Sequence, residues 1–213
     1  MIKLGIVEDH QILRTAMVNL LNDHDDFDIV VEAFNGIDLL EKINPEKLPE
    51  VILIDVEMPE MDGPTTVLKY RELYGNQSKL LGLSVHKEPR LINEMIQNGS
   101  NGFVTKSVSS EELFHAIKKV RSQGFYVSRD IAKFLKSSEQ PVLQDSLLNE
   151  TEEKILRLIC LEKKNDEIAK ELSLSRNTIN TYRTRMLEKL NVKNSVGLVL
   201  YAIKSGIYWI DNE

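Results

Sequence analysis

The sequence predicts an α/β doubly wound (βα)5 parallel-sheet domain followed by an all-α four-helix domain. Three features of the 213 residues point there. Through about residue 125, short β-rich runs alternate with amphipathic stretches of helical period, the pattern of βαβ units. Val51-Ile52-Leu53-Ile54 is apolar at consecutive positions, as suits a strand covered on both faces. From Asn149 onward the apolar spacing is helical, and strand signals are absent.

Taken in order, strands are expected at Ile2–Val7, Ile29–Glu32, Val51–Ile54, Leu80–Leu83 and Gly102–Thr105, with helices at about 12–22, 36–43, 64–74, 88–98 and 109–122 between and after them. Gly124 ends the fifth helix. Ser128 is positioned to cap a short helix over Asp130–Lys136, after which Ser137-Ser138-Glu139-Gln140-Pro141 loses all periodicity and 137–148 reads as a linker. The remaining helices are expected at Glu150–Leu161, Asp166–Leu172, Arg176–Leu190 and Ser195–Ser205. The organisation is therefore a domain over 1–124, a short helix and linker over 125–147, and a second domain over 148–213.

Composition bounds the function. With 42% hydrophobic and 28% charged residues the chain can build ordinary globular cores. A single cysteine, Cys160, leaves no internal disulfide and no cysteine-based zinc site. The longest nearly unbroken apolar run, Val196–Ile203, is far short of the ~20 residues that span a bilayer. The first strand runs straight into Glu8-Asp9-His10, unlike a signal peptide. A cytoplasmic protein without membrane insertion is expected. The net charge of −6 is uneven: residues 1–148 hold 16 lysines and arginines against 23 acids, and residues 149–213 hold 11 against 10. Over 176–193, Arg176, Arg183, Arg185, Lys189 and Lys193 oppose only Glu188, a basic stripe that suits a nucleic-acid partner.

In doubly wound sheets ligands sit beyond the carboxyl ends of the strands. There this sequence has Glu8 and Asp9 after the first strand, Asp55 after the third, Ser84 after the fourth and Lys106 after the fifth. Three carboxylates in one pocket repel, and a hard divalent cation such as Mg²⁺ relieves them while bridging to a phosphoryl group. An ionised aspartate can attack phosphorus and become an acyl phosphate, with Lys106 pairing one phosphoryl oxygen and the Ser84 hydroxyl donating to another. Glu57 and His86, two residues past Asp55 and Ser84, are placed to steer or exclude water and so set the lifetime of that adduct.

Glu8-Asp9-His10, the run Asp55-Val56-Glu57-Met58-Pro59-Glu60-Met61-Asp62-Gly63, Ser84 and Phe103-Val104-Thr105-Lys106 resemble the receiver domain of bacterial two-component response regulators. The resemblance implies that Asp55 accepts phosphoryl from the phosphohistidine of a histidine kinase. It implies Mg²⁺ held by Asp9, Asp55 and the Glu57 backbone carbonyl, with Glu8 in support. Ser84 and Phe103 become a switch pair that alters the surface around the fourth helix, fifth strand and fifth helix, or around the first and fifth helices. Pro59 and Gly63 shape the loop after the acceptor. Aspartate-nucleophile phosphohydrolases use Asp-x-Asp on a similar sheet, but Glu57 is the longer acid, and Ser84 and Lys106 fill the places of their later acidic pair. No enzymatic activity is expected beyond self-phosphorylation and dephosphorylation at Asp55.

In the back half, Ile179, Tyr182, Met186 and Leu190 share one side of a helix, with Leu187 at its edge and amides, hydroxyls and cations opposite. The preceding Ile168-Ala169-Lys170-Glu171-Leu172-Ser173-Leu174-Ser175 is similar to the first helix and turn of a helix-turn-helix. Leu148-Asn149-Glu150-Thr151-Glu152-Glu153, Asn165-Asp166-Glu167-Ile168-Ala169, Asn177-Thr178-Ile179 and Met186-Leu187-Glu188-Lys189-Leu190 resemble the LuxR-type four-helix DNA-binding domain. The whole chain thus resembles a NarL/FixJ-class response regulator. By position, Asn180, Thr181 and Thr184 become base readers and Arg176, Arg183, Arg185 and Lys189 phosphate contacts. Glu162 and Lys164 depart from the family pattern, which commonly has glycine and a small hydroxyl residue there. One reading helix per chain covers only a half-site, so a homodimer on double-stranded DNA is expected.

Overall fold

The computed structural model describes residues 1–85, 88–128, 131 and 147–208. The chain divides into two compact units, Met1–Ser128 and Arg129–Glu213. The short helix over 130–136, most of the linker, His86 and the residues beyond Tyr208 lie outside the described residues.

The first unit alternates β1 (Ile2–Val7), α1 (Gln11–Asn22), β2 (Phe27–Ala33), α2 (Gly36–Lys42), β3 (Val51–Asp55), α3 (Gly63–Tyr74), β4 (Lys79–Ser84), α4 (Pro89–Gln97), β5 (Gly102–Thr105), α5 (Ser110–Gln123) and β6 (Tyr126–Val127). All strand pairs are parallel, in the order β2-β1-β3-β4-β5-β6. Every residue of β3 is buried, because the strand is central and covered on both faces. Alternation then sorts its side chains. Leu4, Ile6, Val51, Leu53, Leu81, Leu83 and Val104 join Met17 and Leu21 of α1 and Leu113, Ala116, Ile117 and Val120 of α5 in one core. Residues one position out of phase face the other layer, where Gly82 leaves the space that Phe103 and Met95 of α4 fill.

Four strands differ from the sequence reading: β3 runs one residue further, to Asp55, and β4 one residue further at each end, to Lys79 and Ser84. β2 extends to Phe27 and Ala33, and the sixth strand, Tyr126–Val127, was not expected. β2 is an edge strand with half-buried residues in its middle, which blurs the alternation that marks a strand end. β6 has two residues, too few to show a period, and exists through pairing of Gly102 with Tyr126.

The second unit contains α6 (Glu150–Cys160), α7 (Asn165–Glu171), α8 (Arg176–Lys189) and α9 (Ser195–Lys204) among its described residues. Asn149 and Glu152 form a reciprocal capping box at α6: the Asn149 side chain accepts from the Glu152 N–H, and the Glu152 carboxylate accepts from the Asn149 N–H. Ser175 caps α8 through the Thr178 N–H, and Asn194 caps α9. Helices α7 and α8 meet through a tight turn in which Ser173 adopts φ 54 and Leu174 N–H donates to the Ala169 carbonyl. Buried Ile168, Ala169, Ile179 and Met186 join the two helices to the core of this unit. No helix among the described residues is long and apolar enough to cross a membrane.

Candidate functional site

The carboxyl ends of β1, β3, β4 and β5 bring the candidate side chains of the first unit together. Asp55 is the last residue of β3 and is 4% exposed; Glu8, just past β1, is fully buried. The Lys106 ammonium lies between them, 2.8 Å from Asp55 Oδ2 and 2.6 Å from Glu8 Oε2. One cation thus neutralises two buried carboxylates that would otherwise repel. Ser84 ends β4, and its carbonyl accepts from the Lys106 N–H at 2.7 Å, which holds the lysine at the mouth of the sheet. Arg14 Nη1 donates to the Glu8 carbonyl at 2.6 Å and fixes the β1–α1 turn.

Burial, reinforced by the charge of Glu8, raises the Asp55 carboxyl above its ordinary range even though Lys106 and the Glu57 N–H favour its charged form. Burial alone would lower the Lys106 ammonium, but its bonds to Asp55 and Glu8 outweigh that and hold it above the usual lysine range. Potential ligand atoms of Glu8, Asp9, His10 and Asp55 lie within 4.8 Å of one another. Asp9 Oδ1 is buried and accepts no hydrogen bond among the described residues, although His10 Nδ1 is 3.0 Å away. An oxygen-rich cluster holding such a carboxylate fits a hard divalent cation.

The loop after Asp55 is shaped by contact. Gly63 N–H donates to the Val56 carbonyl, and a side chain at Gly63 would meet the Asp55 carbonyl at 2.4 Å. Glu60 takes φ 66, and its carboxylate accepts from Asn35 Nδ2 at 3.0 Å, which ties the loop to the start of α2. The Glu57 side chain is exposed and lines a cavity of about 500 Å³ with Asp55, Lys106, Ile12, Leu13 and Val85. Phe103, the aromatic member of the switch pair that the resemblance implies, is fully buried in this structure.

In the second unit, Asn180, Thr181, Thr184, Arg176, Arg185 and Lys189 are all exposed on α8. Matches to family models follow the same division: the response regulator receiver domain over residues 4–118, and the luxR family of bacterial regulatory proteins over residues 146–202. The chain belongs to the NarL/FixJ class of two-component response regulators. It is 34% identical over 211 residues to the response regulator GacA of Pseudomonas syringae pv. syringae, covering 97% of this chain and 98% of that one. The response regulator UvrY of Escherichia coli is 32% identical over 211 residues, covering 97% and 96%. Among solved structures, a Salmonella typhimurium RcsB response regulator shares the fold with a TM-score of 0.59 at 22% identity, over 94% of this chain and 97% of that one.

This response regulator gives several of its expected DNA contacts partners of their own: Arg176 Nε lies 3.5 Å from Asp166 Oδ1, and the Thr181 hydroxyl donates to the Asn177 carbonyl at 3.0 Å. Arg183 Nη1 donates to Asn165 Oδ1 at 2.7 Å and Nη2 to the Ser195 hydroxyl, and burial lowers its guanidinium below the usual arginine range. It ties α8 to the starts of α7 and α9, so the phosphate contact that the resemblance implies for it has two protein partners as competitors. Lys189 pairs with buried Glu152 at 2.9 Å, and Asn180 Oδ1 accepts from Asn165 Nδ2 at 2.6 Å. Asn165 and Glu152 were not singled out as functional. The Asn149-x-x-Glu152 spacing was the available signal for Glu152. Asn165 had none, since its importance comes from a contact 15 residues away. At Glu162 the backbone has φ 60, the conformation for which the family uses glycine. With Lys164 before α7, only the Glu167 carboxylate caps, accepting from the Lys164 N–H at 2.7 Å.

Proposed function

We propose that this response regulator is switched by phosphorylation of Asp55 and regulates transcription through α8. The observation that carries the reading is the bridge from the Lys106 ammonium to Asp55 and Glu8 at the strand ends. An Asp55 oxygen attacks the phosphorus of a kinase phosphohistidine, the bond from phosphorus to the imidazole nitrogen breaks, and an acyl phosphate remains. Lys106 is placed to follow the charge onto a phosphoryl oxygen, and the Ser84 hydroxyl to donate to another. Asp9, Asp55 and the Glu57 carbonyl would hold Mg²⁺, with Glu8 in support. That ion would supply charge neutralisation on the phosphoryl oxygens. Ile12 and Val85, 88% and 63% exposed, stand beside the cavity and suit a protein donor. Glu57, exposed at the cavity, is placed to influence attack by water. Its proposed companion His86 lies outside the described residues.

The adduct then shifts the balance of two receiver states, and only by its differential affinity for them. Ser84 and Phe103, both buried, are the pair through which that shift travels to the surface. The shifted state favours a homodimer whose two α8 helices read two half-sites of double-stranded DNA, with the segment over 125–147 as connector. Asn180, Thr181 and Thr184 face base edges. Arg176, Arg185 and Lys189 face phosphates, Lys189 exchanging Glu152 for one of them. No further enzymatic activity is assigned, and the cytoplasm is the compartment in which kinase and DNA meet. Intact mass after incubation with acetyl phosphate and Mg²⁺ tests the reading: one added phosphoryl group is expected, absent in Asp55→Asn and absent without Mg²⁺. An equal adduct on Asp55→Asn would overturn it.

A further inference from the structure

An asparagine amide that is free to turn reads adenine by accepting from N6 and donating to N7. Asn180 is not free to turn. Arg183 Nη1 donates to Asn165 at 2.7 Å, and a guanidinium has only donors, so the Asn165 atom facing it is Oδ1. The second arm of Arg183, on the Ser195 hydroxyl, keeps the guanidinium in place. With its oxygen taken, Asn165 turns Nδ2 toward Asn180 at 2.6 Å, and the Asn180 atom facing that donor is Oδ1. The orientation of both amides thus follows from the cation. What remains outward on Asn180 is Nδ2, which carries no hydrogen bond among the described residues.

We propose that Asn180 presents only N–H donors to the major groove and so selects guanine, with Asn165 and Arg183 as positioning residues that hold its oxygen inward. This rests on the reading of Asn180 as a base contact. Guanine offers two acceptors, N7 and O6, where adenine pairs an acceptor with a donor and cytosine offers only a donor. Thymine offers a single acceptor beside a methyl group, which leaves guanine the better match. A bidentate adenine contact needs both heads of the amide aimed at one base edge, and Oδ1 is aimed at Asn165.

The test is binding-site selection from a randomised duplex library with the full-length protein, treated with acetyl phosphate and Mg²⁺, beside Asn180→Ala, Asn165→Asp and Asn165→Ser. The position whose preference collapses in Asn180→Ala belongs to Asn180. Wild type is expected to favour guanine over adenine there by at least about fivefold. In Asn165→Asp the new carboxylate still accepts from Arg183 but cannot donate. Asn180 then turns Nδ2 inward and shows Oδ1 to the groove, moving the preference to cytosine or adenine. If that variant does not fold, Asn165→Ser is too short to hold the amide, and guanine and adenine are expected to become equal. Adenine favoured by wild type at that position, or guanine preference intact in a folded Asn165 variant, overturns the proposal. No change anywhere in Asn180→Ala defeats the base-contact reading beneath it, and no enrichment by wild type defeats DNA recognition itself.

Discussion

At the scale of single residues, the pocket is held by one lysine between two acids. Because burial and the charge of Glu8 disfavour the Asp55 carboxylate by more than Lys106 favours it, Asp55→Asn is expected to melt higher than wild type at neutral pH without metal. Adding Mg²⁺ at tenfold its Kd should stabilise wild type by about 1.4 kcal/mol and the variant by much less, as thermal melts will show. Lys106→Met leaves Glu8 and Asp55 facing each other without a cation, with an expected loss of about 3 kcal/mol in a denaturant titration. Cys160 gives a pH test. Burial raises its thiol to about 12, so iodoacetamide labelling at pH 8 should wait for unfolding. A raised thiol pKa means that the unfolded chain ionises first, so stability falls as pH rises above about 9. The pocket acids and Lys106 were legible in the sequence because each follows a recognisable strand. Asn165 was not, because what it does depends on a cation and an amide that folding brings to it.

At the scale of elements, the described helices of both units lie within a few residues of their expected spans, since caps and apolar period agree there. The departures sit where the chain lacks the preferred residue. Glu162 occupies the left-handed region at φ 60, and Glu162→Gly is expected to stabilise the protein by about 1 kcal/mol in chemical denaturation. Gly63 has the opposite logic. Its backbone passes so close to the Asp55 carbonyl that Gly63→Ala has to move the acceptor strand or the loop. The variant should lose both stability and phosphorylation rate, measured by melting and by the time course of adduct mass. Strand β6 escaped the sequence because its two residues are ordered by pairing with β5, a long-range event without a local signature.

At the scale of the whole molecule, acidic and basic residues are divided between the halves so that only the second suits DNA. With 11 cationic residues against 10 acids, the back half has little nonspecific attraction, and affinity must come from placed contacts. Log affinity is expected to fall linearly with log salt, and Arg185→Ala should reduce the slope by about one, by fluorescence anisotropy on a selected duplex. The adduct should tighten binding of wild type and leave Asp55→Asn unchanged. Equal affinity of the two proteins after acetyl phosphate treatment would instead make DNA binding independent of phosphorylation.

The sequence by itself determined the alternation of strands and helices, the acids and lysine at the strand ends, and the helix that carries amides and cations outward. Periodicity, caps and turns are local, and local physics writes them into the chain. Only the tertiary structure decided which cations are free and which way an amide points. Arg183, Lys189 and Asn180 carry similar promise as letters in a stripe, yet Arg183 and Lys189 have protein partners and Asn180 has half of its amide committed. The physical reason is that a hydrogen bond needs both partners in place, and the second partner comes from another helix.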